Sequence, residues 1–210
     1  VAISSARFSQ KTDNNPRAFA AKVDVRRRVL QAIGADAAAV FDAFAGTGEM
    51  FSAVWKDAKR YVGCDLKHVR DGRMMFAADN RRVMRAIDLS PFNVFDLDAY
   101  GSPWEQAIII ADRRRVAPGE LLGLVLTEGN GLAFKVNVVP IAIQQLAGIR
   151  RGMVGMHRNQ DAAINKTIAG LARRMSCTIE KRWEAAGKTG ASMRYIGLVL
   201  KGRGALNAGS

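Results

Sequence analysis

Four aspartates, Asp42, Asp65, Asp79 and Asp98, stand where short apolar runs give way to turns, and carboxylates so placed can accept hydrogen bonds from hydroxyls and amines. Between the first two lies Phe44-Ala45-Gly46-Thr47-Gly48. Its glycines permit a tight turn and a close approach of backbone to a ligand, and the helix that should follow offers unpaired N–H groups. A nicotinamide dinucleotide loop needs a third glycine where Phe51 stands, so that fingerprint is interrupted. Cys64 and Cys177 sit singly in apolar runs and read as small buried hydrophobes, and His68 and His157 are isolated. No metal site is expected.

Such acids cooperate only if a frame brings them together. The segment 1–16 reads as a polar N-terminal arm, with Pro16 in the first turn of a helix that runs to Ile33 and stops at Gly34. Ala39 to Phe44 reads as a strand buried on both faces, followed by the glycine turn and a helix over Glu49–Ala58. Further strands are expected at Arg60–Asp65, Met74–Ala78, Phe92–Leu97 and Leu121–Leu126, with helices over Val69–Met75, Arg81–Ile87 and Trp104–Arg115. The loop Thr-Glu-Gly-Asn-Gly then leads through an apolar run into a basic helix pair around Asp161–Met175. Two last strands, Cys177–Glu184 and Met193–Leu200, read as an antiparallel hairpin. Alternation of strand and helix calls for an α/β Rossmann-like three-layer sandwich. Its sheet is expected to be seven-stranded and mostly parallel, within one domain over 17–210.

The chain has 210 residues, 49% of them hydrophobic and 24% charged, which is enough for one sizeable core. Its apolar stretches are too short to span a membrane, and its first residues lack the layout of a secretory signal, so a cytoplasmic protein is expected. The net charge of +13 favours polyanionic partners, nucleic acid first among them. The basic clusters, Arg26-Arg27-Arg28, Arg81-Arg82, Arg113-Arg114-Arg115, Arg150-Arg151 and Arg173-Arg174, read singly as solvated helix faces.

The run Val-Phe-Asp-Ala-Phe-Ala-Gly-Thr-Gly, Val40 to Gly48, resembles the first motif of class I S-adenosylmethionine-dependent methyltransferases. Its Phe-Ala-Gly-Thr-Gly spelling is similar to that of nucleic-acid amino-methyltransferases. The resemblance implies S-adenosyl-L-methionine as cofactor, with Asp42 helping to hold the methionine amino group and Phe44, Ala45, Gly46 and Gly48 lining methionine and sulfonium. Asp65, 23 residues after Asp42, would accept the ribose hydroxyls, with Leu66 beside it. Asp79 and Asn80 would meet the adenine, and Asp98 would border the cofactor.

Phe92 to Trp104, Phe-Asn-Val-Phe-Asp-Leu-Asp-Ala-Tyr-Gly-Ser-Pro-Trp, resembles the fourth motif of the same enzymes, and most closely its form in tRNA guanine-N2 dimethyltransferases. That implies Asp98 as the catalytic acid and Tyr100 as the aromatic that stacks the target base, with Asp96 on the family's other acidic position. Gly101, Ser102, Pro103 and Trp104 would form the substrate-binding wall. Ala99 departs from the pattern, which has proline there. Ser102 and Pro103 also read as a helix start, Ser102 capping and Pro103 in the first position. Neither cysteine lies in this turn, which disfavours thiolate attack on a base carbon.

The expected activity is methyl transfer to an exocyclic amine of RNA or DNA, RNA favoured, with the loop 127–137 and basic helices gripping the substrate. Members of the dimethyltransferase family are longer, and no added recognition domain is read here. A non-catalytic nucleic-acid-binding protein of the same fold, and a small-molecule or protein methyltransferase, remain open alternatives. The base, the position and the oligomeric state are not legible.

Overall fold

A computed structural model describes residues 16–67, 70–149, 155, 157–186 and 193–204. The expected arm over 1–16, apart from Pro16, and part of the hairpin turn lie outside them, as do His68 and Arg150-Arg151.

Helix α1 (Pro16–Ile33) opens on its proline and closes at Gly34, which takes a φ of +90° while its N–H donates to Leu30 O at 2.8 Å. Strand β1 (Ala39–Asp42) runs into the glycine turn and α2 (Glu49–Ala53). There follow β2 (Arg60–Asp65), β3 (Met75–Ala77), α3 (Asn80–Ala86), β4 (Val94–Leu97), α4 (Trp104–Arg113) and β5 (Leu121–Glu128). Then come α5 (Gly131–Lys135), α6 (Ile141–Ala147), α7 (Gln160–Arg174), β6 (Cys177–Ala186) and β7 (Arg194–Gly202).

The seven strands form one sheet in the order β3-β2-β1-β4-β5-β7-β6. The first five are parallel, and β7 runs antiparallel between β5 and β6. One face carries the larger core, with α3, α4, α6 and α7 packed on Phe41, Phe95, Leu124 and Leu198. The other is covered by α1 and the α2 region through Val25, Val29, Met50 and Trp55. Both sides of the sheet are therefore dry, which is why β5 is apolar without alternation until its last two residues. Gly123 lets α1 sit close, since a Cβ there would stand 2.6 Å from Val29 Cγ1. The edge strand β6 carries four charged residues, Glu180, Lys181, Arg182 and Glu184, and is bulged between Ile179 and Lys181, features that discourage edge-to-edge pairing.

Several expected elements differ. The helix over Val69–Met75 does not form across its described residues. Gly72 takes a φ of +80°, and Asp71 Oδ1 accepts from the Arg73 N–H at 3.2 Å, so the local turn replaces a helical one. The helix after the glycine loop stops at Ala53 and continues as a 3-10 turn over Trp55–Asp57. The basic helix pair is the single helix α7, and the Thr-Glu-Gly-Asn-Gly loop leads into α5. Helix α4 starts at Trp104 as expected and ends at Arg113, two residues early; Pro103 is its cap rather than its first residue, and no side-chain cap hydrogen bond is made.

Candidate active site at the carboxyl ends of the strands

Strand order reverses beside β1, which has β2 on one side and β4 on the other. In open α/β sheets the crevice outside such a switch point is where ligands bind. Adjacent strands lie about 5 Å apart, so Asp65 at the end of β2, Asp42 at the end of β1 and Asp98 just beyond β4 converge on one rim.

Asp42 is buried. Its Oδ1 accepts from the Phe44 N–H at 3.1 Å and its Oδ2 from the Tyr61 hydroxyl at 2.9 Å, so it fixes the start of the loop from below. Burial, reinforced by the charge of Asp96, raises its carboxyl well above the usual aspartate range. Ala45 is buried, Phe44 half-buried, and Gly46 and Gly48 take positive φ of +43° and +87°. Arg73 clamps this turn from outside, its Nη1 donating to Ala45 O at 3.0 Å and its Nη2 to Gly46 O at 2.9 Å.

Asp65 Oδ2 accepts from the Gly46 N–H at 3.0 Å and its Oδ1 from the Lys67 N–H at 3.0 Å. A carboxylate oxygen offers two lone pairs, so each retains one for a further donor. Leu66 is largely exposed beside it. Asp79 caps α3, accepting from the Arg81 N–H at 2.8 Å and pairing with the Arg81 guanidinium, which holds its carboxyl below the ordinary range. Asn80 Nδ2 donates to Ala43 O at 2.7 Å, drawing the start of α3 back over the β1 tip.

The β4 tip is where sequence reading missed most. Arg26 of α1 is completely buried and meets Asp96 through Nε at 2.6 Å and Nη2 at 2.8 Å, while the Trp55 indole N–H donates to the same carboxylate at 2.7 Å. Asp98 is held by Lys22 Nζ at 3.0 Å, by Arg26 Nη2 at 3.2 Å and by the Thr127 hydroxyl at 2.6 Å. Burial alone would raise the Asp98 carboxyl; Arg26, Lys22 and Thr127 outweigh it and hold the group below its ordinary value. Asp98 is therefore a fixed anion on the rim. The cue for Arg26 is its spacing, three residues from Val23 and Val29, which puts it on the apolar stripe of α1 rather than on a solvated face.

Beyond Asp98, Tyr100 is 93% exposed and projects freely. Gly101 has a φ of +110°, and its carbonyl accepts from the Gly129 N–H at 2.6 Å, which ties the turn to the loop after β5. Ser102 is half-buried and Pro103 buried. Trp104, expected on the substrate-binding wall, is instead fully buried, and its indole donates to the equally buried Glu128, which ties the start of α4 to the end of β5. Glu128 also accepts from the Asn130 N–H at 2.7 Å and from Asn130 Nδ2 at 3.1 Å. The loop 127–137 presents apolar Leu132 and Val136 to solvent, with Lys135 also exposed among them. Among the described residues no group of His, Cys, Asp and Glu could hold a metal ion, and both cysteines are buried and unpaired.

No protein-family model matches the chain, and no curated protein is similar to it in sequence. Solved structures share its fold, a Rossmann-like α/β sandwich on a mostly parallel seven-stranded sheet. The complex of Trm1 from Pyrococcus horikoshii with S-adenosyl-L-methionine superposes with a TM-score of 0.60 at 15% identity, covering 96% of this chain and 59% of that one. This chain thus spans about three fifths of the Trm1 chain. The N-methyltransferase NodS from Bradyrhizobium japonicum WM9, in complex with S-adenosyl-L-homocysteine, gives 0.55 at 12% identity, covering 94% of this chain and 93% of that one. M. jannaschii TYW2 in complex with AdoMet gives 0.53 at 11% identity, covering 94% and 78%.

Proposed function

We propose that this chain is an S-adenosylmethionine-dependent methyltransferase that acts on an exocyclic base amine of RNA or DNA, RNA favoured. The observation that carries the reading is the convergence of Asp42, Asp65 and Asp98 on one rim over the Gly46–Gly48 turn, at the switch point of a methyltransferase sheet. The residues present fit the cofactor: Asp65 keeps a free lone pair on each oxygen for a diol, and the backbone of the loop lies open to close approach at Gly46.

Asp65 would hold the ribose hydroxyls, and the turn from Phe44 to Gly48 would shape the methionine pocket, with Asp42 beneath it. When bound, the cofactor would supply a sulfonium-activated methyl group for transfer to the amine nitrogen, leaving a neutral thioether, and the amine's surplus proton would pass to water.

An exocyclic amine is a weak nucleophile because its lone pair is delocalised into the ring. Catalysis therefore rests on orientation and on relief of developing positive charge. Asp98 supplies both, as an anion kept ionised by Arg26 and Lys22 that accepts an amine N–H. Tyr100, exposed two residues on, would stack the base, a contact worth about 1 to 3 kcal/mol. The charge of +13 supports a polyanionic substrate, as do exposed Arg27, Arg28, Arg82 and Arg173.

A small-molecule acceptor is the second reading, favoured by the shared fold of the Burkholderia thailandensis 1,6-didemethyltoxoflavin-N1-methyltransferase with bound 1,6-didemethyltoxoflavin, which superposes with a TM-score of 0.52 at 15% identity, covering 88% of this chain and 79% of that one. Incubation with radiolabelled S-adenosylmethionine and separate pools of tRNA, ribosomal RNA and duplex DNA separates the two. Label in a nucleic-acid pool, lost with Asp98→Asn, supports the first reading; no label in any pool overturns it.

A further inference from the structure

We infer that Gln106 is the residue that reads the amino group of the cofactor's purine, a role that rests on the cofactor reading above. The sequence resemblance points to Asp79 and Asn80 for the purine, and both already carry protein partners. Asp79 Oδ1 accepts from the Arg81 N–H at 2.8 Å and Nε at 3.1 Å, and its Oδ2 from Nη2 at 2.8 Å. Asn80 spends its amide donor on Ala43 O at 2.7 Å, and its carbonyl accepts from Gln106 Nε2 at 3.1 Å. The Ala43 carbonyl can only accept, so this relay has one direction. Turning either amide over would set carbonyl oxygens against each other.

The consequence falls on Gln106 Oε1. Gln106 is 7% exposed, and this oxygen is the only buried side-chain polar atom among the described residues that lacks a hydrogen-bond partner. A buried acceptor without a donor is destabilising, so the site is built to receive an N–H. Its position suits a purine. The chain after β3 folds back across β2, for Cys64 Sγ donates to Ala78 O at 3.4 Å, and Asn80 then reaches the β1 tip. Gln106 enters from the first turn of α4, directly after the Asp98–Pro103 turn. A nucleoside held by Asp65 thus has the Asn80–Gln106 relay at its base. Adenine offers an exocyclic N–H to it, whereas hypoxanthine offers a carbonyl.

The test is calorimetric titration of S-adenosylhomocysteine, its inosine counterpart and the unsubstituted purine counterpart into wild type and Gln106→Leu. Wild type should bind the adenine compound about tenfold tighter than either analogue, and Gln106→Leu should bind all three alike. Equal binding of the three by wild type overturns the inference, and that comparison stands even if the variant does not fold. Undiminished discrimination by a folded Gln106→Leu also overturns it and assigns the oxygen to a water. Absence of S-adenosylhomocysteine binding by wild type instead overturns the cofactor reading, and this inference with it.

Discussion

Arg26 and Asp96, seventy residues apart, form a two-pronged ion pair from which water is wholly excluded, joining α1 to the centre of the sheet. Removing one partner leaves the other as a buried, uncompensated charge, at a cost of about 3 to 5 kcal/mol. Arg26→Met should lower the unfolding free energy by that amount in urea titration. The double variant Arg26→Met/Asp96→Asn should recover part of the loss. Additive losses would mean that the pair is not coupled.

The same buried cluster sets a pH dependence. The native Asp42 carboxyl is pushed up to about 8 by burial and by Asp96, against an unfolded value near 4. Between those values the native state binds a proton that the unfolded chain has released, so stability should fall as pH rises from about 5 to 8. Asp96 is raised in the same sense. Chemical denaturation across that window should show the decline, and Asp42→Asn should flatten it.

At Gly48 the φ of +87° disfavours any L side chain, and a Cβ would stand 2.8 Å from Arg73 Cζ. Gly48→Ala should cost about 1 to 2 kcal/mol in backbone strain and push Arg73 off the loop carbonyls. Arg73→Ala releases the same carbonyls without the strain. Both variants should weaken S-adenosylhomocysteine binding in calorimetry, and only Gly48→Ala should lower the thermal midpoint by several degrees.

The crossing of α6 over α7 depends on Gly170, where a Cβ would fall 1.8 Å from Leu146 O. The obstacle is backbone, which cannot swing aside as a side chain can. Gly170→Ala should destabilise the protein by about 1 to 3 kcal/mol, read as a lower urea midpoint at unchanged slope.

The rim at Asp42, Asp65 and Asp98 is legible in the sequence because each acid ends a short apolar run, and parallel strands buried on both faces leave that pattern. The order of strands is not legible, since the register of β1 with both β2 and β4 depends on contacts distant in sequence. Arg26 hides among Arg27 and Arg28, and only its helical spacing to Val23 and Val29 marks it as inward-facing. Gln106 hides in the same way at the head of an apolar run in α4, its amide satisfied on one side by Asn80. The expected helix before Met75 fails because Asp71-Gly72-Arg73 closes a turn whose Arg73 side chain is needed at the loop. Local propensity carries no information about that tertiary demand.

Amide hydrogen exchange with and without S-adenosylhomocysteine tests the central claim most directly, because it reports both binding and place. The account predicts slowed exchange at residues 44–48, 65–67, 79–82 and 98–101, four strand tips separated in sequence and joined in space. Unchanged exchange throughout, or slowing confined to segments away from those tips, would contradict it.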